Sequence, residues 1–367
     1  MGNIIDYIRE YGAYSLQERP FSDEDSLALA QLAYLKLEGV VPPPEVRPAG
    51  VTLGEISHMK QKDKIFEDVF FSRDQLALFE AMRKSRRFQT MKIVHCVNRI
   101  DPGEESQFSA VTLLPEDDSV YIAFRGTDET VVGWKEDFRM AYEAPVRSQQ
   151  LAAAYLDEAA GRYHGALLVG GHSKGGNLAV FAAMFCREEV RERIRRIYSL
   201  DGPGFLPGLR EMGAYEEIGA RIRKIVPHSS VVGMLLEDAD AYETVESSAF
   251  GMLQHNPFSW LIRDGKFVRV KDVYKGRKAA LEGLNRWILS VPGEERAALV
   301  DDLFGILEAC GTQKLTDLSI CRETIGREMR MALKKLDKEK RSALLQTVWA
   351  LLRMGKETAV HGRGQGK

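Results

Sequence analysis

A serine stands between glycines two residues away on either side, in Gly171-His172-Ser173-Lys174-Gly175-Gly176. The apolar run Gly165–Gly170 precedes it, and a stretch rich in Ala, Phe and Leu follows over Lys174–Arg187. Strand, sharp turn and helix is the setting in which Gly-x-Ser-x-Gly presents a nucleophile. The turn is strained, and residues two before and two after the serine pack too closely for a Cβ. It lifts Ser173 Oγ clear of the sheet. The helix N-terminus behind it favours negative charge, and the Lys174 backbone N–H faces the place where an oxyanion develops. That is the chemistry of covalent acyl transfer through a serine. The competing reading is a glycine-rich turn with an inert serine.

A second segment lies about fifty residues upstream, Val120-Tyr121-Ile122-Ala123-Phe124-Arg125-Gly126-Thr127, followed by Trp134 and Asp137. A strand ending at Gly126 puts Thr127 at a C-terminal strand end, where ligands gather in parallel sheets. Its N–H and hydroxyl are candidates for the second oxyanion donor; the alternative is a threonine capping the next helix. Trp134 and Asp137 lie one turn apart and brace this loop, and Arg125 pairs with a carboxylate near the sheet end.

FRGT-x6-W-x2-D followed by GHSxGG resembles the class 3 (fungal-type) lipases, and the longer string GHSKGGNLAVFAA resembles a bacterial branch of that superfamily more closely still. The resemblance spans about residues 90–265, and it implies an α/β-hydrolase fold and hydrolysis of carboxylic esters, lipid acyl esters first, with neither cofactor nor metal. It gives Ser173 the role of nucleophile and Thr127 with the Lys174 N–H that of oxyanion donors. The order of the triad is then serine, acid, histidine. Only His228, His255 and His361 follow Ser173. The similar late loop of these lipases favours His255 in Gln254-His255-Asn256-Pro257, with His228 as the fallback. The acid-bearing loop aligns with Val226–Val232, where the expected aspartate falls on Ser230. Asp201, in Leu200-Asp201-Gly202-Pro203, resembles the acid of the pancreatic-type lipases and is favoured; Glu237, Asp238 and Asp240 are the alternatives. Lys174 departs from the apolar residue usual there, and its cation is expected at the mouth of the site. An acyltransferase or a thioesterase would use the same residues. Ser230 and Lys174 also motivate a different class, a catalytically silent fold used for binding.

The elements that must position these residues change period along the chain. Asn3–Gly12 and Asp23–Leu37 pattern as helices, the second opened by a Ser22/Asp25 capping box; Arg73–Lys84 is a third. Lys92–Asn98, Gln107–Leu114 and Ser119–Phe124 alternate as antiparallel strands. Helices are then expected at Thr130–Tyr142, Ser148–Tyr163, Lys174–Arg187 and Pro207–Glu217, with strands at Gly165–Gly170, Arg195–Leu200 and Arg221–Val226. This predicts a mostly parallel central sheet flanked by helices. Residues 277–356 pattern as three or four amphipathic helices, broken near Pro292 and Gly311. The expected division is an N-terminal helical segment over 1–90, an α/β core over 91–275, an all-helical region over 276–356, and a disordered tail over 357–367. Met234–Leu236 and Phe258–Ile262 line either an acyl pocket or the core.

Of the 367 residues, 44% are hydrophobic and 28% charged, ordinary for a globular chain, and a net charge of −2 predicts no nucleic-acid partner. Residues 261–367 hold 22 Lys and Arg against 14 Asp and Glu. A solvated helical face is the simpler reading of that bias; peripheral contact with an anionic membrane is the sharper one. Four cysteines without CxxC spacing, no apolar leader and no apolar run of membrane length point to a cytoplasmic protein.

Overall fold

Helix α1 (Ile4–Tyr11) begins at an Asn3 cap and α2 (Asp23–Leu32) at Ser22, where the expected capping box forms. Ser22 Oγ accepts from Asp25 N–H at 3.3 Å, and Asp25 accepts from Ser22 N–H at 2.8 Å. Asp25 also holds Arg87 at 2.5 Å, and both side chains are fully buried. A short α3 (Leu53–Ser57) and α4 (Ser72–Lys84) complete the N-terminal layer. The computed structural model describes residues 1–60, 62–236, 242–270, 275–309 and 313–314.

Strands β1 (Val51–Thr52), β2 (Lys92–Asp101), β3 (Ser106–Leu114) and β4 (Ser119–Phe124) pair antiparallel in chain order. The chain then switches to crossovers. Strands β5 (Ala166–His172), β6 (Ile194–Leu200), β7 (Ile222–Pro227) and β8 (Glu243–Val245) run parallel to β4 and to one another, closing an eight-stranded sheet in the order β1 to β8. Parallel neighbours need long connections. Helices α5 (Val131–Arg139) and α6 (Arg147–Arg162) supply the first; α7 (Lys174–Phe185) and α8 (Glu188–Arg193) supply the second; α9 (Pro207–Arg210) and α10 (Gly213–Gly219) supply the third.

The sheet is covered on both faces, so β4 is buried along its whole length. Val120, Ile122 and Phe124 join the layer of α6 and α7, whereas Tyr121 and Ala123 join the layer of α1, α2 and α4. Val120, Ile122 and Phe124 each contribute roughly 1.5–3 kcal/mol by burial. Register aligns Phe124 with Gly171, and His172 with Leu200, so the ends of β4, β5 and β6 share one edge. This is the α/β-hydrolase arrangement expected from the sequence.

The expected helix over Pro207–Glu217 is two helices, interrupted at Glu211 and Met212. Strand β8 and the hairpin β9 (Ile262–Arg263) and β10 (Lys266–Phe267) have only two or three residues each, too few to show a period. After them, α11 (Lys275–Ser290) and α12 (Gly293–Ala309) are separated at Pro292 as expected. Helix α12 packs on α5, with the Phe138 and Phe304 rings 5.6 Å apart. The further C-terminal helices, the tail, most of the basic stretch, and His361 lie outside the described residues. Among the described residues, no helix is long and apolar enough to cross a membrane.

Candidate active site

Ser173 stands between β5 and α7 with φ 60° and ψ −135°, a conformation costly for a residue with a side chain. Crowding enforces it. A Cβ on Gly171 would lie 2.4 Å from the Gly175 carbonyl carbon, and one on Gly175 would lie 2.1 Å from Phe124 O. Both glycines let the turn press against the end of β4, and Oγ points out of the sheet edge.

His255 reaches this serine from a 3₁₀ turn over Gly251–His255. Its Nε2 lies 2.9 Å from Ser173 Oγ, and its Nδ1 lies 2.6 Å from Asp201 Oδ2. A carboxylate at Nδ1 requires the proton there, leaving Nε2 to accept from the serine hydroxyl. Asp201 follows β6, fully buried, with φ 51° and its N–H on Ile225 O at 2.8 Å. Its other oxygen, Oδ1, accepts from Ser230 Oγ at 2.5 Å and Gly233 N–H at 3.2 Å. Ser230, where the resemblance expected the acid, is thus a donor to the acid. Glu237, Asp238 and Asp240 lie outside the described residues. His228 faces Gln254 at 3.3 Å and makes no bond to Ser173.

The loop holding His255 is itself anchored. His172 Nε2 donates to His255 O at 2.9 Å, and the Trp260 indole donates to Gln254 O at 2.9 Å. Burial holds His172 well below the ordinary histidine range, so it is neutral with one ring N–H. With that N–H on His255 O, Nδ1 accepts from the Tyr34 hydroxyl at 3.2 Å.

Thr127 stands just past β4. The preceding Gly126 packs so tightly that a Cβ there would lie 2.9 Å from Ser173 Cβ. The Thr127 hydroxyl donates to Asp137, which leaves its backbone N–H as the donor for an oxyanion. Thr130, not Thr127, caps α5, accepting from Gly133 N–H at 3.1 Å. Lys174 opens α7, so its N–H has no carbonyl in the helix. Burial raises the Asp137 carboxyl to about 6, with Lys174 and the Thr127 hydroxyl pulling it back.

The Lys174 side chain corrects the sequence reading. It is 1% exposed and runs inward to Glu136 Oε2 at 3.1 Å, not to the mouth of the site. Burial of a cation is tolerable only with a carboxylate beside it, and Glu136 supplies one. Arg125 pairs with Asp128 at 3.1 Å as expected. Met234 packs on Val226, while Phe258, Trp260 and Ile262 belong to the core layer of the N-terminal helices, so these residues serve packing.

His172, Asp201 and His255 are the one set of at least three potential metal ligands close together among the described residues. Two of the three are already bound to each other, and His172 is committed to a carbonyl.

Sheet order, elbow and the Ser–Asp–His order along the chain define a lipase-like α/β-hydrolase. The family model described as Mbeg1-like matches residues 82–305, and the chain belongs to that family. Among solved structures it is similar to M37 lipase (14% identity, TM-score 0.39, covering 72% of this chain and 80% of that one). The Rhizomucor miehei lipase propeptide complex is similar at 16% identity and TM-score 0.35, covering 64% and 75%. Lip2 lipase from Yarrowia lipolytica is similar at 13% identity and TM-score 0.34, covering 61% and 78%. No protein of curated function matches in sequence.

Proposed function

We propose that this protein is a serine hydrolase that cleaves carboxylic esters, lipid acyl esters foremost, through an acyl-enzyme on Ser173. The observation that carries this is the hydrogen-bonded line Ser173–His255–Asp201, at 2.9 and 2.6 Å. His255 Nε2 takes the hydroxyl proton as Ser173 Oγ attacks the carbonyl carbon. The resulting imidazolium faces the Asp201 carboxylate, which stabilises it without taking the proton. The backbone N–H groups of Thr127 and Lys174 receive the oxyanion. His255 then protonates the departing alcohol, and water activated by the same nitrogen releases the acid.

A fluorophosphonate probe tests the reading. The soluble protein should be labelled on Ser173 and should hydrolyse short p-nitrophenyl esters, and Ser173→Ala should lose both. Labelling that survives Ser173→Ala, or none in the wild type, overturns it.

A further inference from the structure

We propose that the Lys174 side chain is a positioning residue that ties the nucleophile elbow to the strand and helix supporting the other half of the oxyanion site. On this proposal, which rests on the hydrolase reading for its catalytic meaning, a buried ion pair sets the separation of the two donor N–H groups.

The connections run through named atoms. Lys174 Nζ donates to Gln107 O at 3.0 Å and Gln107 Oε1 at 2.9 Å on β3, and to Glu136 Oε2 at 3.1 Å on α5. Asp137 Oδ1 lies 3.5 Å from the same ammonium. Glu136 is held in turn by the Gln107 N–H at 3.0 Å and the Ser148 N–H at 2.8 Å, which fixes it to β3 and α6. Asp137 accepts the Thr127 hydroxyl. One ammonium therefore joins the residue bearing one donor to the carboxylate that orients the residue bearing the other.

The charges are real. Burial works against the ammonium, but Glu136 and Asp137 more than offset it, and Lys174 is shifted upward. Burial also works against Glu136, but Lys174 and two backbone N–H groups shift it downward. Both stay ionised at neutral pH. A buried pair of this kind is a weak source of stability but is directional, whereas an apolar side chain would fill the space without fixing an orientation. Oxyanion donors act through their fixed placement, so this direction is what catalysis would use.

The test compares wild type with Lys174→Met and with the double variant Lys174→Met/Glu136→Gln, which removes both members of the Lys174–Glu136 pair and leaves Asp137 in place. Hydrogen exchange read by mass spectrometry over residues 125–137 reports the tether whether or not the protein turns over an ester. Steady-state hydrolysis of a p-nitrophenyl ester reports its use. In the folded double variant, exchange in that segment should rise, and kcat should fall by about tenfold or more with KM nearly unchanged, as for a loss confined to the transition state. Unchanged exchange overturns the proposal, as does an unchanged kcat in a variant of an active wild type. A wild type without ester hydrolysis or Ser173 labelling refutes the hydrolase reading instead, and the exchange result still decides the tether.

Discussion

The Ser230 hydroxyl donates to Asp201 Oδ1 at 2.5 Å, on the opposite oxygen from the one His255 uses. The carboxylate comes from the end of β6, and the loop after β7 supplies a hydroxyl where the resemblance placed an acid. The two side chains therefore meet at one carboxylate oxygen. Asp201→Asn should lower kcat by on the order of 10⁴-fold, the usual consequence of the wrong imidazole tautomer. The swap Asp201→Ser/Ser230→Asp should recover at least part of what Asp201→Ser loses. Equal activity of the swap and the single variant, measured by ester hydrolysis, would show that residue 230 cannot reach His255.

His172 positions the base without touching substrate. Its one ring N–H is spent on His255 O, so His172→Phe keeps the volume and removes the anchor. Misplacing a base costs rate more than binding, and kcat should fall by about tenfold with little change in KM. Tyr34→Phe, which removes only the hydroxyl on the far nitrogen, should cost less. A His172→Phe enzyme with wild-type kcat would refute the anchoring role.

The nucleophile, the oxyanion strand and the base were legible because each lies in a short local pattern: an elbow between Gly171 and Gly175, a strand ending at Thr127, a late-loop histidine. The support around them was not. Tyr34, Gln107, Glu136 and Ser230 reach the site from four distant stretches of the chain, and no spacing links residue 34 to 172 or 107 to 174. Lys174 shows the same limit. A cation in an apolar helix start signals a burden, but only the folded structure shows that Glu136 on α5 carries it. In the fold, strands with six or more residues showed their period, while β8, β9 and β10 were too short to do so.

Asp137 should leave a mark on stability against pH. Its carboxyl sits at about 6 in the folded protein against an ordinary 3.8, because burial favours the neutral form. The sign follows: the folded state gains from this group below about pH 4, and the gain is lost as pH rises through 6. The amount is at most about 3 kcal/mol, reduced by the solvent that reaches the side chain. Asp137→Asn stays neutral, so urea unfolding at pH 4 and pH 7 should show a smaller decline for the variant. Parallel declines would exclude the shift.

The elbow's crowding gives the sharpest contrast between two glycines. Gly175→Ala would drive a Cβ into Phe124 O, a backbone atom that cannot swing aside, at 2.1 Å. Phe124 is the last residue of β4, three positions before Thr127, so any relief of that clash displaces the oxyanion strand as well. The variant should lose about 3 kcal/mol or more of stability, and what remains folded should label slowly with fluorophosphonate. Gly208 in α9 has nothing within 4 Å of the same built atom, and Gly208→Ala should be neutral or gain up to about 1 kcal/mol from a stiffer helix. Thermal melts of the pair decide it. If both alanines were tolerated alike, the tight approach of β4 to the elbow would not be what holds Ser173 in its strained conformation.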